Sequence, residues 1–352
     1  MIKTQKIKFA VVGCGHIGKR HASMIQGNAA CELVALCDIR PKAALGIELY
    51  AEAQFFTSID DLLASNLAID IVVVASPNGY HREQSLKALE RGCHVVIEKP
   101  MSLTKAGCEQ VIFKALQKQK QVFCVMQNRY SPPSVWLKEI LDKGVLGDIF
   151  MVQINCYWNR DDRYYKPNAE TGRPSSWHGT KDLDGGTLFT QFSHFIDLMY
   201  WYFGDITHIQ AKFNDFTHKT TTDFEDSGFV SFDFVDGGMG SLNYSTAIWD
   251  KNLESSITVI AEHGSVKVGG QYMNEVEYCH IKDYEMPTLA AANPPNDYGP
   301  YKGSAANHHY VYENIVDVIK NGASISTNAL EGLKVVDIIE RIYGKKPPII
   351  KT

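Results

Sequence analysis

The sequence has no block of basic residues, no long apolar run and no clustered metal-ligand spacing, and each absence removes a class of function. Its 35 Lys and Arg are scattered among 40 Asp and Glu, for a net charge of −5, so there is no cationic stripe to follow a phosphate backbone. Nucleic acid is not an expected partner. No run approaches the ~20 apolar residues that span a bilayer, and Met1 to Lys8 lacks the apolar stretch and cleavage site of a secretory signal. No membrane association is expected, and the cytoplasm is the expected compartment. Eight cysteines (14, 31, 37, 93, 108, 124, 156 and 279) stand apart with no C-x-x-C spacing, most of them among apolar residues, where a thiol packs as a small hydrophobe. Twelve histidines contain no H-E-x-x-H and one adjacent pair, His308 and His309, so no metal is expected.

What is present is enough chain for two cores: 352 residues, 45% of them apolar, where domains usually hold about 100–200 residues. The pattern changes near residue 128, which predicts domains at 1–128 and 129–352. From Ile7, short β-branched runs alternate with amphipathic stretches of helical length, the signature of a doubly wound parallel α/β sheet. Strands are expected at Lys8 to Val12, Glu32 to Cys37, Gln54 to Phe56, Ile69 to Ala75, His94 to Glu98 and Val122 to Met126. Helices are expected from His16, after Pro41, over Asp60 to Ala64, and before Gly92. Right-handed crossovers then predict the Rossmann order 3-2-1-4-5-6.

The first strand-to-helix turn is Gly13-Cys14-Gly15-His16-Ile17-Gly18. In G-x-G-x-x-G the first glycine makes the tight turn, the second lets a pyrophosphate approach the backbone, and the third lets the helix pack on the strand. The helix N-terminus then offers N–H groups to the phosphates. Asp38 ends the second strand about 20 residues later, the spacing at which a carboxylate accepts from the adenosine ribose hydroxyls and repels a 2′-phosphate. NAD is the expected cofactor and NADP the less favoured one, with Arg40 and Lys42 weakening the discrimination.

Ligands in open α/β sheets bind beyond the carboxyl ends of the strands. The fourth strand ends in Ser76-Pro77-Asn78, with His81 following, residues suited to a cofactor surface. The fifth ends in Glu98-Lys99-Pro100 and the sixth in Gln127-Asn128-Arg129. Lys99 follows an apolar strand, where desolvation can tune a lysine for proton transfer, and Glu98 is placed to orient it or to contact the cofactor. Gln127 joins the cofactor set. With the glycine motif, Ser76-Pro77-Asn78 with His81, and above all Glu98-Lys99-Pro100, the chain resembles the Gfo/Idh/MocA oxidoreductases. That resemblance implies a second, α+β domain with a large, mostly antiparallel open sheet that carries the substrate site.

Beyond Arg129 the residues agree with a changed architecture: a helix over Val135 to Leu141, then strands at Ile149 to Tyr157, Ile206 to Phe213, Asp226 to Phe234, Met239 to Ser245, Ser255 to Ala261, Ser265 to Val268 and Glu275 to Ile281. Pro287 to Lys302 reads as a loop, and helices close the chain at about His308 to Lys320 and Ala329 to Ile342. The helix expected over Thr187 to Phe203 sorts at 100° per residue into an apolar stripe (Leu188, Phe192, Phe195, Met199) and an opposite one with Thr187, Thr190, Gln191 and His194. His194 is the group there that titrates near neutrality, and hydroxyl oxidation needs a base. The resemblance assigns a histidine on this helix to the site beside the lysine. Many relatives carry Asp where this chain has Thr190, which cannot ionise.

Within the family the chain is similar to the WlbA-type dehydrogenases, which oxidise the C3 hydroxyl of UDP-N-acetylglucosaminuronic acid. The likeness runs through Gln127-Asn128-Arg129, Trp158-Asn159-Arg160 with Tyr164-Tyr165, Asp184-Gly185-Gly186, Gln191 with Ser193-His194, Lys251 to Glu254, and Val266 to Gly270. It implies hydride transfer from the sugar to NAD, with Lys99 and His194 sharing the proton chemistry in either order. Asn128, Thr190 and Gln191 join them in the substrate set. An anionic nucleotide sugar suits Arg129, Arg160 and Arg163, while Tyr165 and Trp177 are placed either to cover a sugar or uracil ring or to serve the core. The segment Lys166 to Ser176 is longer than in those relatives, and His178 stands where they have Arg. Three other readings compete: a dehydrogenase of a free polyol or sugar such as inositol or glucose, an NAD-dependent glycosidase, and a cofactor-sensing regulator without activity. The resemblance also implies a homo-oligomer, tetramer or dimer, packed through the open sheet, with Phe229 and Phe232 suited to its buried face.

Overall fold

The computed structural model describes residues 5–165, 177–297 and 302–346. The long segment Lys166 to Ser176 and the first four residues lie outside the described residues, as does part of the expected Pro287 to Lys302 loop, whose described part is not all loop: Pro295–Asp297 is a strand paired antiparallel with Lys302–Ala305. The chain divides into two compact units. One holds the residues up to Met126 together with His308–Val336, the other Gln127–Asn307 with the residues from Asp337 onward. A single cut at 128/129 therefore does not describe the division, because the chain returns to its first unit near the end.

In the first unit, β1 (Ile7–Val12), α1 (His16–Gly27), β2 (Cys31–Cys37), β3 (Gln54–Phe56), α2 (Ile59–Ala64), β4 (Ile71–Val74), α3 (His81–Glu90), β5 (His94–Ile97), α4 (Lys105–Lys118) and β6 (Val122–Cys124) follow in order. The six strands form a parallel sheet ordered β3-β2-β1-β4-β5-β6, as the alternation predicts. Their near-continuous burial, with Val72, Val73, Val95 and Val96 fully enclosed, is what a sheet covered on both faces requires. The helix expected after Pro41 does not form. Two 3₁₀ turns, Lys42–Ala44 and Glu48–Tyr50, take its place, interrupted by Gly46 at φ +61°, a left-handed residue that a helix interior does not accommodate.

The second unit begins with a 3₁₀ turn at Gln127–Tyr130, then α5 (Pro132–Asp142), β7 (Ile149–Tyr157), the short turns α6 (Asp162–Tyr165) and α7 (Lys181–Asp184), α8 (Ser193–Phe203), β8 (Ile206–Asn214), β9 (Ser227–Phe234), β10 (Met239–Ser245), β11 (Glu254–Ala261), β12 (Gly264–Gly269) and β13 (Glu275–Ile281). Its seven-stranded sheet runs β13-β12-β11-β7-β10-β9-β8. All neighbours are antiparallel except β7 and β10. Val152, Ile154, Phe232, Leu242, Tyr244, Ile257 and Val259 fill one face. Phe229, Met239, Ile260 and Tyr278 stand exposed on the other. Phe229 and Phe232 therefore do not share a face, since three residues of separation in a period-2 strand puts them on opposite sides.

Two helices close the chain, α9 (His308–Asn321) and α10 (Ala329–Tyr343). Tyr312 of α9 meets Phe9 edge-on at 5.7 Å, and Cys124 of β6 bonds backbone to backbone with Thr327, so α9 and the turn after it belong to the first core. The far end of α10 belongs to the second unit. There Tyr343 donates to Glu225 at 2.8 Å and Arg341 donates to the Ile206 carbonyl at 2.6 Å.

The packing of α1 on β1 rests on an approach that only glycine allows. A Cβ at Gly18 would lie 1.7 Å from the Gly13 carbonyl oxygen. Gly18→Ala is expected to destabilise the protein by about 3 kcal/mol or more, the upper end for overpacking against rigid backbone, read as a lowered urea midpoint at unchanged m-value.

Candidate functional site

In the first unit the glycine motif forms the expected turn. Gly13 has φ +91°, and a Cβ there would strike the Ala75 carbonyl at 2.6 Å. Nothing lies within 4 Å of the Cβ position of Gly15, which is also the N-cap of α1 and makes no side-chain capping bond. Open space over bare backbone at a helix N-terminus is the cradle a pyrophosphate needs. His16 and Ile17 open the helix behind it. Cys14 points inward, donating to the Cys37 carbonyl at 3.6 Å. Burial and the nearby Asp38 carboxylate push its thiol up to about 12, so it stays protonated and structural. Asp38 ends β2 as expected and accepts from the Cys14 backbone N–H at 2.8 Å. Burial raises its pKa, but hydrogen bonds from Arg40 and from the backbone outweigh this and hold it below the usual carboxylate range.

Beyond β4, Ser76 donates to Gln84 at 2.6 Å, and Asn78 begins a 3₁₀ turn after Pro77. His81 is enclosed with its ring between two carbonyl oxygens, Pro100 at 2.7 Å and Ser76 at 2.8 Å. Burial lowers its pKa against the pull of both carbonyls; a neutral ring donates to one of them, an imidazolium to both. His81 thus ties the end of β4 to the turn after Lys99, whose peptide bond to Pro100 is cis. The Lys99 side chain is half-buried, and its backbone N–H donates to Glu98 at 3.1 Å.

Glu98 itself turns inward. Its Oε1 lies 3.0 Å from Nε2 of His21 on α1 and 3.4 Å from Nε2 of His308 on α9, and Nδ1 of His21 lies 2.8 Å from the Tyr312 hydroxyl. Burial raises the Glu98 pKa, yet the two histidines outweigh it and hold the group well below the ordinary glutamate value. Burial lowers the pKa of His308. Of the readings open to Glu98, orientation of the Lys99 turn fits these bonds. Sequence reasoning singled out Glu98 but neither histidine; His308 was visible only as half of an adjacent pair.

In the second unit Gln127, Asn128, Arg129, Arg160, Gln191 and His194 are buried, and Thr190 is partly so. The helix expected from Thr187 is a π-helical turn over Leu188–Phe192 followed by α8, which shifts the side-chain phase from a straight helix. His194 is 3% exposed, and the Gln127 amide meets its Nε2 at 3.2 Å. Gln127, expected against the cofactor, and the buried Asn128 lie on the turn that opens this unit. Gln191 accepts from Nε of Arg160 at 2.7 Å. Arg160 is buried over the Trp158 ring, 4.7 Å from its centre, and also donates to Asn252 at 3.2 Å. Thr190 donates to the carboxylate of Asp184, which also accepts from the Gly179 N–H at 2.7 Å. A buried acid thus stands one hydrogen bond behind the threonine, although residue 190 itself cannot ionise.

The remaining candidates separate. Arg129 is committed to Asp197, donating Nε at 2.8 Å and Nη2 at 2.6 Å to its two oxygens, both partners being buried. With two donors so engaged, it braces α8 against the 127–130 turn instead of being offered as a free fork. Arg163 is 44% exposed and pairs with Asp161. Tyr165 is enclosed with Tyr164 and Phe224, so its core role is the observed one. Trp177 stacks on His178 at 3.8 Å between ring centres. Sequence reasoning placed Asp184 and Asn252 only inside stretches of resemblance, without a role, and did not single out Asp197. The two glycines after Asp184, at φ +89° and +130°, were the available signal for Asp184.

Comparisons with known proteins agree with this fold. Residues 7–126 match the model of the oxidoreductase family with an NAD-binding Rossmann fold, and residues 135–267 match the GFO/IDH/MocA C-terminal domain. The chain belongs to the Gfo/Idh/MocA oxidoreductase family. Among solved structures it is similar to the WlbA dehydrogenase of Bordetella pertussis in complex with NADH and UDP-GlcNAcA, at 30% identity over 97% of this chain and 96% of that one, with a TM-score of 0.84. The Chromobacterium violaceum WlbA dehydrogenase, bound to the same molecules, gives 30% identity over 98% and 94%, with a TM-score of 0.85. Among curated proteins, the D-glucoside 3-dehydrogenase of Escherichia coli is 36% identical over 41% of this chain and 42% of its own length. The chain spans 55% and 63% of two further curated relatives, both uncharacterized oxidoreductases. The first unit is therefore an NAD-binding Rossmann domain, and the second carries the family's mostly antiparallel sheet. Among the described residues no helix is long and apolar enough to cross a membrane.

Two outcomes follow. Gly15→Ala, which meets no protein atom, should leave the urea midpoint unchanged while raising the Kd for NAD about tenfold or more, because the new methyl occupies the cradle. The fold holds the pKa of His308 below the ordinary histidine value and that of Glu98 below the ordinary glutamate value, so each takes up protons on unfolding, and stability should fall as pH drops below about 6.5 and again below about 4.5. His308→Gln should flatten the first of these losses in denaturation midpoints measured between pH 5 and pH 7.

Proposed function

We propose that this protein is an NAD-dependent dehydrogenase that oxidises the C3 hydroxyl of UDP-N-acetylglucosaminuronic acid to a 3-keto sugar. The observation that carries this reading is the likeness to two WlbA dehydrogenases across 97% and 98% of the chain; Lys99 and His194 are the residues we assign to the proton chemistry. The glycine turn would hold the pyrophosphate and Asp38 the adenosine ribose. Bound NAD supplies the acceptor for the hydride that an alcohol oxidation releases. Lys99 polarises the hydroxyl oxygen, while His194 takes the proton at a ring nitrogen that the Gln127 amide helps to orient. Arg160 and Arg163 are the cationic side chains assigned to the anionic sugar nucleotide, with Thr190, Gln191, Asn128 and Trp177 completing its surroundings.

A second reading, oxidation of a free glucoside at C3, is favoured by the 36% identity to a D-glucoside 3-dehydrogenase. It needs no diphosphate contacts, so UDP raising the melting temperature where inositol or glucose does not would separate the two. We further propose that the exposed face of the second sheet, with Phe229, Met239, Ile260 and Tyr278, joins copies into a dimer or tetramer in the cytoplasm; light scattering that returns the monomer mass would end that idea.

The deciding measurement is NADH absorbance during incubation with NAD and UDP-N-acetylglucosaminuronic acid. NADH should accumulate, and Lys99→Ala and His194→Ala should each lower kcat by about 10²–10⁴-fold, as for lost acid–base catalysis. No NADH, even with an aminotransferase consuming the ketone, would rule the substrate out.

A further inference from the structure

The π-helical turn that leads into α8 is capped from the far end of the chain. The first N–H groups of a helix have no partner within it, and Thr187, the residue before the turn, gives no side-chain cap. Its hydroxyl donates to the Glu225 carbonyl instead. The Leu188 N–H donates to the Tyr343 hydroxyl of α10 at 2.9 Å, and that hydroxyl donates to Oε1 of Glu225 at 2.8 Å. Glu225 is 6% exposed and is fixed in its turn by the Tyr244 hydroxyl at 2.8 Å and by Lys346. Room for the tyrosine is made by Gly186, at φ +130°, where a Cβ would lie 2.6 Å from the Tyr343 oxygen.

We propose that Tyr343 is a positioning residue for the chemistry of α8: its hydroxyl caps the π turn at Leu188 and so sets the directions of Thr190 and Gln191 relative to His194. A π turn holds one residue more than the α-helical path it interrupts. If it relaxed to α geometry, the side chains before it would rotate by about 100° against those after it, and Thr190 and Gln191 would leave Asp184 and Arg160, their partners here. The Leu188 N–H is the point from which such a relaxation would begin. Thr187 and Leu188 are fully buried, so solvent does not replace the tyrosine there. The consequence for catalysis rests on the proposed reading of His194 as the base, whereas the cap and its hold on the helix do not.

Tyr343→Phe in the full chain tests it, since the ring stays and only the hydroxyl goes. The ring resonances of His194, identified by their loss in His194→Ala, should be displaced in spectra of histidine-labelled protein. With NAD and UDP-N-acetylglucosaminuronic acid, kcat should fall about tenfold or more, the size of a small misplacement of reacting groups, while the Kd for NAD measured by calorimetry stays within twofold. Glu225→Gln, which leaves the tyrosine in place and weakens only its anchor, should fall between the wild type and Tyr343→Phe, and covers the case in which the phenylalanine variant does not fold. Unmoved His194 resonances in both variants overturn the proposal. So does an unchanged kcat, or a loss of NAD affinity in step with kcat, which would make the effect a general loss of fold. If the wild type makes no NADH, the reading of the substrate has failed and the resonances alone decide the positioning.

Discussion

The first unit depends on one buried carboxylate. Glu98 gathers a histidine from the first helix, a histidine from the penultimate helix and the backbone N–H of the lysine that follows it. A charge in that setting would be expelled or protonated without such partners, since burying an unpaired carboxylate is far costlier than any packing gain around it. With them it stays ionised, and three stretches of chain separated by up to 287 residues, from His21 to His308, are held to one point. The return of residues 308–336 to the first unit follows from this. His308 and Tyr312 are polar groups that the Rossmann core needs to satisfy its own interior.

The second unit uses the same device with the opposite polarity. Arg129 and Asp197 form a buried, two-bonded pair between the turn at 127–130 and α8, the two pieces that carry Gln127 and His194. Losing either partner of such a pair leaves an uncompensated buried charge, so the ion pair and the amide-to-imidazole contact are mechanically one feature. The π-helical turn before α8 lets Gln191 and Thr190 find different partners, Arg160 and Asp184, where a straight helix would have aimed them along one stripe.

The sheet order, nearly every strand and the glycine turn were legible in the sequence because they follow from local periodicity and from glycines such as Gly13 and Gly18, whose Cβ positions are filled by backbone. The exceptions are instructive. The helix after Pro41 failed because Gly46 adopts a left-handed conformation that composition does not reveal. The division at residue 128 was incomplete because a return to the first core is decided by long-range contacts such as Tyr312 with Phe9. Phe229 and Phe232 were grouped as aromatics when strand parity already separated them. Lys99 and His194 stood out as chemistry on a strand end and a helix, whereas His21 and Asp197 had no local pattern at all, and His308 and Asn252 appeared only within an adjacent pair and a stretch of resemblance; what makes them matter is the partner, which no single segment encodes.

Arginine shows why residue type alone cannot locate a binding site. Arg40, Arg129, Arg160 and Arg163 offer identical forks, and from sequence three of the four looked equally fit for an anionic ligand. Their hydrogen-bond accounts differ. Arg129 donates to both oxygens of a buried carboxylate at no more than 2.8 Å, a contact that no solvent competes for. Arg40 is bound just as fully, to a carboxylate that is itself buried, but its own side chain is 28% exposed where that of Arg129 is 4% exposed. Arg160 donates to the Gln191 amide, the Asn252 amide and a backbone carbonyl, bonds that orient its guanidinium.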